Sequence, residues 1–111
     1  MDNIVGDYSI IICDHLNKSY VYIDRYHGTD IHLVLPSHFG GMPVTKIGYM
    51  AFHDNDTLVS VTIPRSLIFV CNHAFKRCNE LVTIKMYKNV NAHAFDIANE
   101  CRSFKGVTCV Y

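Results

Sequence analysis

The sequence has no excess of either charge, since ten Lys and Arg balance ten Asp and Glu over 111 residues. General binding to nucleic acid or to an acidic membrane is therefore not expected, because both need a basic surface. It also lacks a long apolar run: Ile10-Ile11-Ile12-Cys13 is broken by Asp14, too short for a membrane span or a secretory core. Its opening residues, Met1-Asp2-Asn3-Ile4-Val5-Gly6-Asp7, are acidic where an export signal is basic. No Cys-x-x-Cys pair occurs among the five cysteines, and an odd number at such spacings fits reduced thiols better than a disulfide framework. These features predict a cytoplasmic protein, or a secreted or cell-surface one if Met1 is not the native start. Asn17-Lys18-Ser19 and Asn55-Asp56-Thr57 read as glycosylation sequons, which carry no meaning without export.

A catalytic set is missing as well. Cys13-Asp14-His15 and Cys71-Asn72-His73 each offer two ligand-type side chains, but a zinc site needs about four converging tetrahedrally, and no spacing resembles a finger or knuckle. A Cys/His hydrolase would need a third, orienting group and an oxyanion site, and neither is identifiable. No enzyme activity, metal or cofactor is expected.

What is present is a repeat. Ile47-Gly48-Tyr49-Met50-Ala51-Phe52 recurs 23 residues later as Val70-Cys71-Asn72-His73-Ala74-Phe75, and the same offset relates Leu58 to Leu81, Val61 to Ile84 and Ile63 to Met86. Apolar positions that recur in register mark a solenoid, in which each unit buries its face against the next. Leu33 and Leu35 before Pro36 correspond to Val61 and Ile63 before Pro64, then to Ile84 and Met86. In the third unit the spacing shortens to 20, so that Val90, His93, Ala94 and Phe95 follow Val70, His73, Ala74 and Phe75. The same offset carries Leu81 to Cys101, Ile84 to Phe104, Tyr87 to Val107 and Val90 to Val110. The Ala-Phe pair at the centre of each turn predicts an internal ladder of Phe52, Phe75 and Phe95, with coils spaced about 4.8 Å apart.

Ahead of the repeat, Tyr8 to Cys13 and Tyr20 to Arg25 are β-branched and aromatic runs around Asp14-His15-Leu16-Asn17-Lys18, which read as a hairpin. Residues 1–30 are assigned to this N-terminal β-hairpin cap and residues 31–111 to the coils, within one compact unit. The overall expectation is a mainly β solenoid of about three to four partial coils.

Val44-Thr45-Lys46-Ile47-Gly48-x-x-Ala51-Phe52 through Leu58-x-x-Val61-Thr62-Ile63-Pro64, then Val70-x-x-x-Ala74-Phe75-x-x-Cys78-x-x-Leu81-x-x-Ile84, resembles the BspA-type leucine-rich repeat. Leu35-Pro36-Ser37-His38-Phe39-Gly40-Gly41-Met42-Pro43-Val44 is similar to the segment that precedes the first such repeat. The resemblance implies a leucine-rich-repeat solenoid that binds other macromolecules, often as a cell-surface or secreted adhesin. The expected function is a non-enzymatic module that binds or inhibits a protein partner; a secreted or surface adhesin fragment is the alternative, and a metal- or thiol-dependent enzyme ranks behind both. Cys78 holds the family's small interior position and is expected to pack. In the shortened repeat, Ala98 takes the Cys78 position and Cys101 that of Leu81.

The binding residues are sought on the outward side of the strands. Alternation places His32, Ser60, Thr83 and Ser103 in one outward column and Val34, Thr62, Lys85 and Lys105 in the next. On the other strand segment the outward columns are Thr45, Ile68, Lys88 and Lys46, Phe69, Asn89. Ile68 and Phe69 break the polar pattern between Lys46 and Lys88, as an apolar interface centre with a charged rim would. Partner binding is assigned to Ile68, Phe69, Lys46, Lys88, Thr62, Lys85 and Lys105. The last strand, Val107-Thr108-Cys109-Val110-Tyr111, has no Pro or charge to discourage edge pairing. Self-association into a homo-oligomer is therefore expected through Val107, Cys109 and Tyr111, with Cys109 outward and accessible. Through residue 60 three basic residues face seven acidic ones, a net of −4, and thereafter the balance is +4; such polarity reads either as chance asymmetry of a solvated surface or as a bias towards head-to-tail contacts or an acidic partner.

Overall fold

The computed structural model describes residues 3–87, 90, 97 and 99–109. Among the described residues ten strands form two sheets: β1 (Asn3–Val5), β2 (Tyr8–His15), β3 (Lys18–Tyr26), β4 (His32–Val34), β5 (His38–Phe39), β6 (Met42–Ile47), β7 (Ser60–Thr62), β8 (Phe69–Val70), β9 (Thr83–Met86) and β10 (Gly106–Cys109). One sheet has six strands in the order β1-β2-β3-β6-β5, with β8 also paired to β6; the other runs β10-β9-β7-β4. The chain is mainly β and winds between the two sheets as a solenoid.

Local sequence explains the cap. Leu16 and Asn17 both take positive φ, 50° and 64°, and His15 pairs with Lys18. A two-residue turn with both central residues left-handed matches the right-handed twist of the flanking strands, and Asn tolerates that region well. A third strand, β1, folds back antiparallel on β2; the sequence reading did not include it. The last cap strand then pairs parallel with β6, Val21 against Val44 and Ile23 against Ile47. The hairpin thereby supplies the first rung of the stack, and its apolar inner residues Ile10, Val21 and Ile23 join the common core.

Parallel pairing fixes the register of the coils. The four-stranded sheet stacks His32 on Ser60 on Thr83 on Gly106, and Leu33 on Val61 on Ile84 on Val107. Inward residues of the middle coils are fully buried: Leu58, Val61, Ile63, Leu81 and Ile84. The turns also repeat. Met50 and His73, and likewise Asp54 and Arg77, sit in equivalent places with φ between 57° and 60°. Left-handed conformations at non-glycine residues carry strain, so their recurrence shows that the stacked turns over-determine the backbone there. At Gly48 the reason for glycine is spatial, since its N–H donates to Ile23 O at 2.8 Å and an added Cβ would lie 2.9 Å from that oxygen.

The expected Phe52 and Phe75 ladder is present, with ring centroids 4.9 Å apart and planes 13° from parallel. Phe95 lies outside the described residues. Aromatic contacts extend in the other direction: Tyr26 meets Phe52 at 5.2 Å and Tyr8 meets Tyr26 at 5.4 Å, both tilted, and Phe39 meets Tyr8 edge-on at 5.5 Å. Aromatic packing of this kind adds to simple area burial and ties cap to coils.

The 20-residue offset predicted for the third repeat is not the one adopted. β10 pairs with β9 as Gly106 to Thr83, Val107 to Ile84, Thr108 to Lys85 and Cys109 to Met86, which keeps the spacing at 23. The same spacing holds at Val90, whose N–H reaches Tyr87 O as Leu67 N–H reaches Pro64 O, both at 3.1 Å. It holds again at Phe104 and Leu81, which bond Cys101 O and Cys78 O at 3.0 and 3.1 Å. Cys101 is therefore the counterpart of Cys78, not of Leu81; Ala98 lies outside the described residues. Both thiols donate to the carbonyl of the preceding coil's phenylalanine: Cys78 Sγ to Phe52 O at 2.9 Å and Cys101 Sγ to Phe75 O at 2.8 Å. Backbone pairing sets the register, although the turns differ locally: Cys101 N–H bonds Ile97 O four residues back, whereas Cys78 N–H bonds Phe75 O three back.

Candidate functional site

The outward side of the six-stranded sheet carries the most distinctive surface. Each coil here runs inward-outward-outward-inward: Val44 and Ile47 are buried around Thr45 and Lys46, and Leu67 and Val70 around Ile68 and Phe69. The register shift between Val21 and Tyr22 accommodates the extra residue of β6, as bulges do when they re-aim side chains. Pairing then aligns Ile11, Tyr22, Lys46 and Phe69 in one row across β2, β3, β6 and β8. Lys46 Nζ sits 5.2 Å from the centre of the Tyr22 ring, within the range of a cation–π contact. Ile68 follows at 59% exposure, its N–H held by Thr45 O at 2.8 Å. Phe69 is half-buried.

The predicted partner-binding residues separate into groups. Ile68, Phe69 and Lys46 come together on this face, and Lys88 lies outside the described residues. Thr62 and Lys85 pair on the other sheet. Lys105 does not continue their column, because the 23-residue register puts Thr108 beside Lys85; Ser103 is likewise displaced from the first column, where Gly106 stands. Apart from the exposed Val34, that second face is small and polar: His32 Nδ1 and Ser60 Oγ are 2.8 Å apart, and Thr83 Oγ1 donates to Gly106 O at 2.8 Å. Val107 and Cys109 lie on β10, with Tyr111 outside the described residues. Cys109 is exposed, yet it occupies the inner column beneath Met86 rather than the outward position expected.

Sequence reasoning missed Tyr22 and Ile11. The alternation Tyr20-Val21-Tyr22-Ile23 marked Tyr20 and Tyr22 as sharing a face, but only the parallel junction of β3 with β6 places Tyr22 beside Lys46.

A second feature is a cleft of about 230 Å³ between the cap and the first turns, lined by Arg25, His27, His53, Asp54 and Asp56 among others. Its walls are fixed by Asn55, whose amide donates to Gly28 O at 3.3 Å and whose Oδ1 accepts the Leu58 N–H at 3.0 Å. Asp54 holds Arg77 of the next coil in a two-point pair, 2.7 Å to Nε and 3.2 Å to Nη2. Desolvation raises its carboxyl, but the hydrogen bond from His53 and the Arg77 charge outweigh that and leave it below the usual range. The neighbouring Cys101 thiol and burial push the Cys78 thiol up, the profile of a packing cysteine rather than a reactive one. Among the described residues no group of three or more His, Cys, Asp or Glu is placed to hold a metal ion, and no helix is long and apolar enough to cross a membrane.

Stacked parallel strands with an inner aromatic and aliphatic ladder, 28 residues apart from β4 to β7 and 23 apart from β7 to β9 and β9 to β10, define a leucine-rich-repeat solenoid. The chain belongs to the family described as "BspA type Leucine rich repeat region (6 copies)", whose model matches residues 35–109. Solved structures agree. A T. pallidum leucine rich repeat protein is 27% identical with a TM-score of 0.72, covering 97% of this chain and 50% of its own. A leucine rich cell surface protein from Faecalibacterium prausnitzii is 26% identical with a TM-score of 0.66, covering 80% of this chain and 24% of its own. A leucine-rich repeat protein from Bacteroides capillosus shares the fold over 99% of both chains, with a TM-score of 0.65 and 20% identity. The chain thus spans half or less of the length of the first two. No curated protein is a significant match.

Proposed function

We propose that this chain is a non-enzymatic interaction module that binds a protein partner through the outward face of the six-stranded sheet. Ile68 and Phe69 form the apolar centre, and Lys46 over Tyr22 forms part of the rim. The observation that carries this reading is the exposure of Ile68, 59%, beside a paired row of aromatic and cationic side chains on a rigid backbone. Aromatic and aliphatic anchors with a charged edge are the composition of interface hot spots, and preformed strands present them with little ordering cost.

The test is affinity capture with the chain as bait, comparing wild type with Ile68→Ser/Phe69→Ser. Removing two anchors is expected to weaken capture by at least about 2 kcal/mol, roughly 30-fold in Kd. Equal retention by both baits, with both folded, would refute the assignment. A surface location is the second reading, supported by the similarity to the F. prausnitzii protein described as a cell surface protein. Protease treatment of intact source cells that leaves the chain uncut would count against it.

A further inference from the structure

We infer that the partner of the six-stranded sheet presents an acidic polypeptide segment, setting carboxylates against Lys46 and Lys18 and an apolar side chain against Ile68; this rests on the interface proposed above and adds the chemistry of its occupant. The rows on that face follow from the strand pairing. Ile11 lies beside Tyr22, Cys13 beside Tyr20 and His15 beside Lys18 across β2 and β3, and the first row continues to Lys46 and Phe69. Their alternates Ile10, Val21 and Ile23 are buried, so these side chains point outward.

Charge is segregated in a way that the neutral total hides. Through residue 60 the chain holds seven acidic and three basic residues, yet two of those three cations, Lys18 and Lys46, stand in the outward rows. The third, Arg25, lines the cleft. Asp7, Asp30, Asp54 and Asp56 lie in turns and loops off the strands, with Asp30 bonded to Tyr26 and Asp54 to Arg77. Asp14 alternates to the opposite side, where Ser19 Oγ bonds it. Among the described residues of β2, β3, β6 and β8, Asp24 is the one carboxylate with outward parity, and it sits at the irregularity where β2 offers it no paired residue. Arg65, on the link from β7 to β8 just before Ile68, adds a cation, its guanidinium 4.6 Å from the centre of the Tyr87 ring.

The hydrogen-bonding groups of the face are one-sided. A lysine ammonium only donates and the Tyr20 and Tyr22 hydroxyls can donate, so the complement is an acceptor that carries negative charge, a carboxylate. Opposed potentials also guide encounter and reject competitors of the same sign. Ile68, at 59% exposure, calls for an aliphatic or aromatic side chain, which a polypeptide supplies. Single-stranded nucleic acid fits less well, because its bases need open aromatic faces and Lys46 Nζ already lies over the Tyr22 ring. Its phosphates also call for more cations than these rows hold.

Selection of random dodecapeptides displayed on phage against the whole folded chain tests this, with Lys18→Glu/Lys46→Glu and Ile68→Ser/Phe69→Ser as comparison targets. Peptides retained by wild type are expected to be net negative, with Asp or Glu flanking an aromatic or aliphatic residue. Synthetic copies should bind the lysine variant at least about tenfold more weakly. They should also weaken near about 1 M salt, where screening acts within about 3 Å, and fail on the apolar variant. Neutral or basic peptides that still depend on Ile68 and Phe69 would leave the face in place and overturn the acidic partner. Peptides that bind the apolar variant as well as wild type, or no enrichment at all, would overturn the face and the inference with it. Tighter binding of a heparin fragment or a single-stranded oligonucleotide than of any selected peptide, abolished by the lysine variant alone, would replace the polypeptide with another polyanion. Should the double lysine variant fail to fold by circular dichroism, Lys18→Glu alone, beside the exposed hairpin turn, makes the same comparison.

Discussion

Tyr26 joins the cap to the first coil by two kinds of contact. Its ring lies between those of Tyr8 and Phe52, while its hydroxyl donates to Asp30 Oδ2 at 2.9 Å and accepts the Asp30 N–H at 3.1 Å. Gly28 lies beneath the hydroxyl, where an added Cβ would come within 2.3 Å. Burial raises the Tyr26 pKa from 10.0 to about 12, opposed by the Asp30 N–H and assisted by the Asp30 carboxylate. A pKa raised on folding favours the protonated form in the native state. The stabilisation is therefore complete below pH 10 and is lost as pH rises through about 12. After allowance for screening at a partly solvated hydroxyl, it is on the order of 1 kcal/mol. Melting temperature measured from pH 9 upward should fall more steeply for wild type than for Tyr26→Phe, with Tyr8 common to both. Parallel curves would show that this hydroxyl does not carry the alkaline response.

At the scale of the element, the coil is held by what it stacks on. Phe75 is 1% exposed, lies on Phe52, and offers its carbonyl to Cys101 Sγ. Phe75→Ala removes the ring from a turn too short to collapse and is expected to cost roughly 3 to 5 kcal/mol. Against a typical domain stability of about 5 to 15 kcal/mol, that should lower the melt sharply; an unchanged melt would contradict the ladder. The repeat that predicted this ladder was legible because Ala-Phe, Leu and Ile recur together at one spacing. The same pair misled at Ala94-Phe95, where one motif suggested a 20-residue offset that the backbone does not follow. The better signal was Cys78 and Cys101, since a thiol that reaches the carbonyl of the coil before it must sit at the same height in each coil. Side-chain identity at one turn weighs less than continuous parallel pairing, which forms only with the whole stack.

At the scale of the molecule, two sheets meet along a common core and offer different outer faces. The exposure of Ile68 beside Phe69 was legible, because two apolar residues between buried Leu67 and Val70 break the pattern set by Thr45 and Lys46. The contribution of Tyr22 and Ile11 was not, because it depends on a long-range junction between cap and coil that no local period encodes. The proposed recognition surface is the six-stranded sheet, spanning cap and repeat, and not the four-stranded one. Hydrogen exchange of the chain with and without its captured partner tests that most directly. Slowed exchange over residues 20–23, 44–48 and 68–71 is the predicted result, and protection confined to residues 32–34, 60–62 and 83–86 would contradict it.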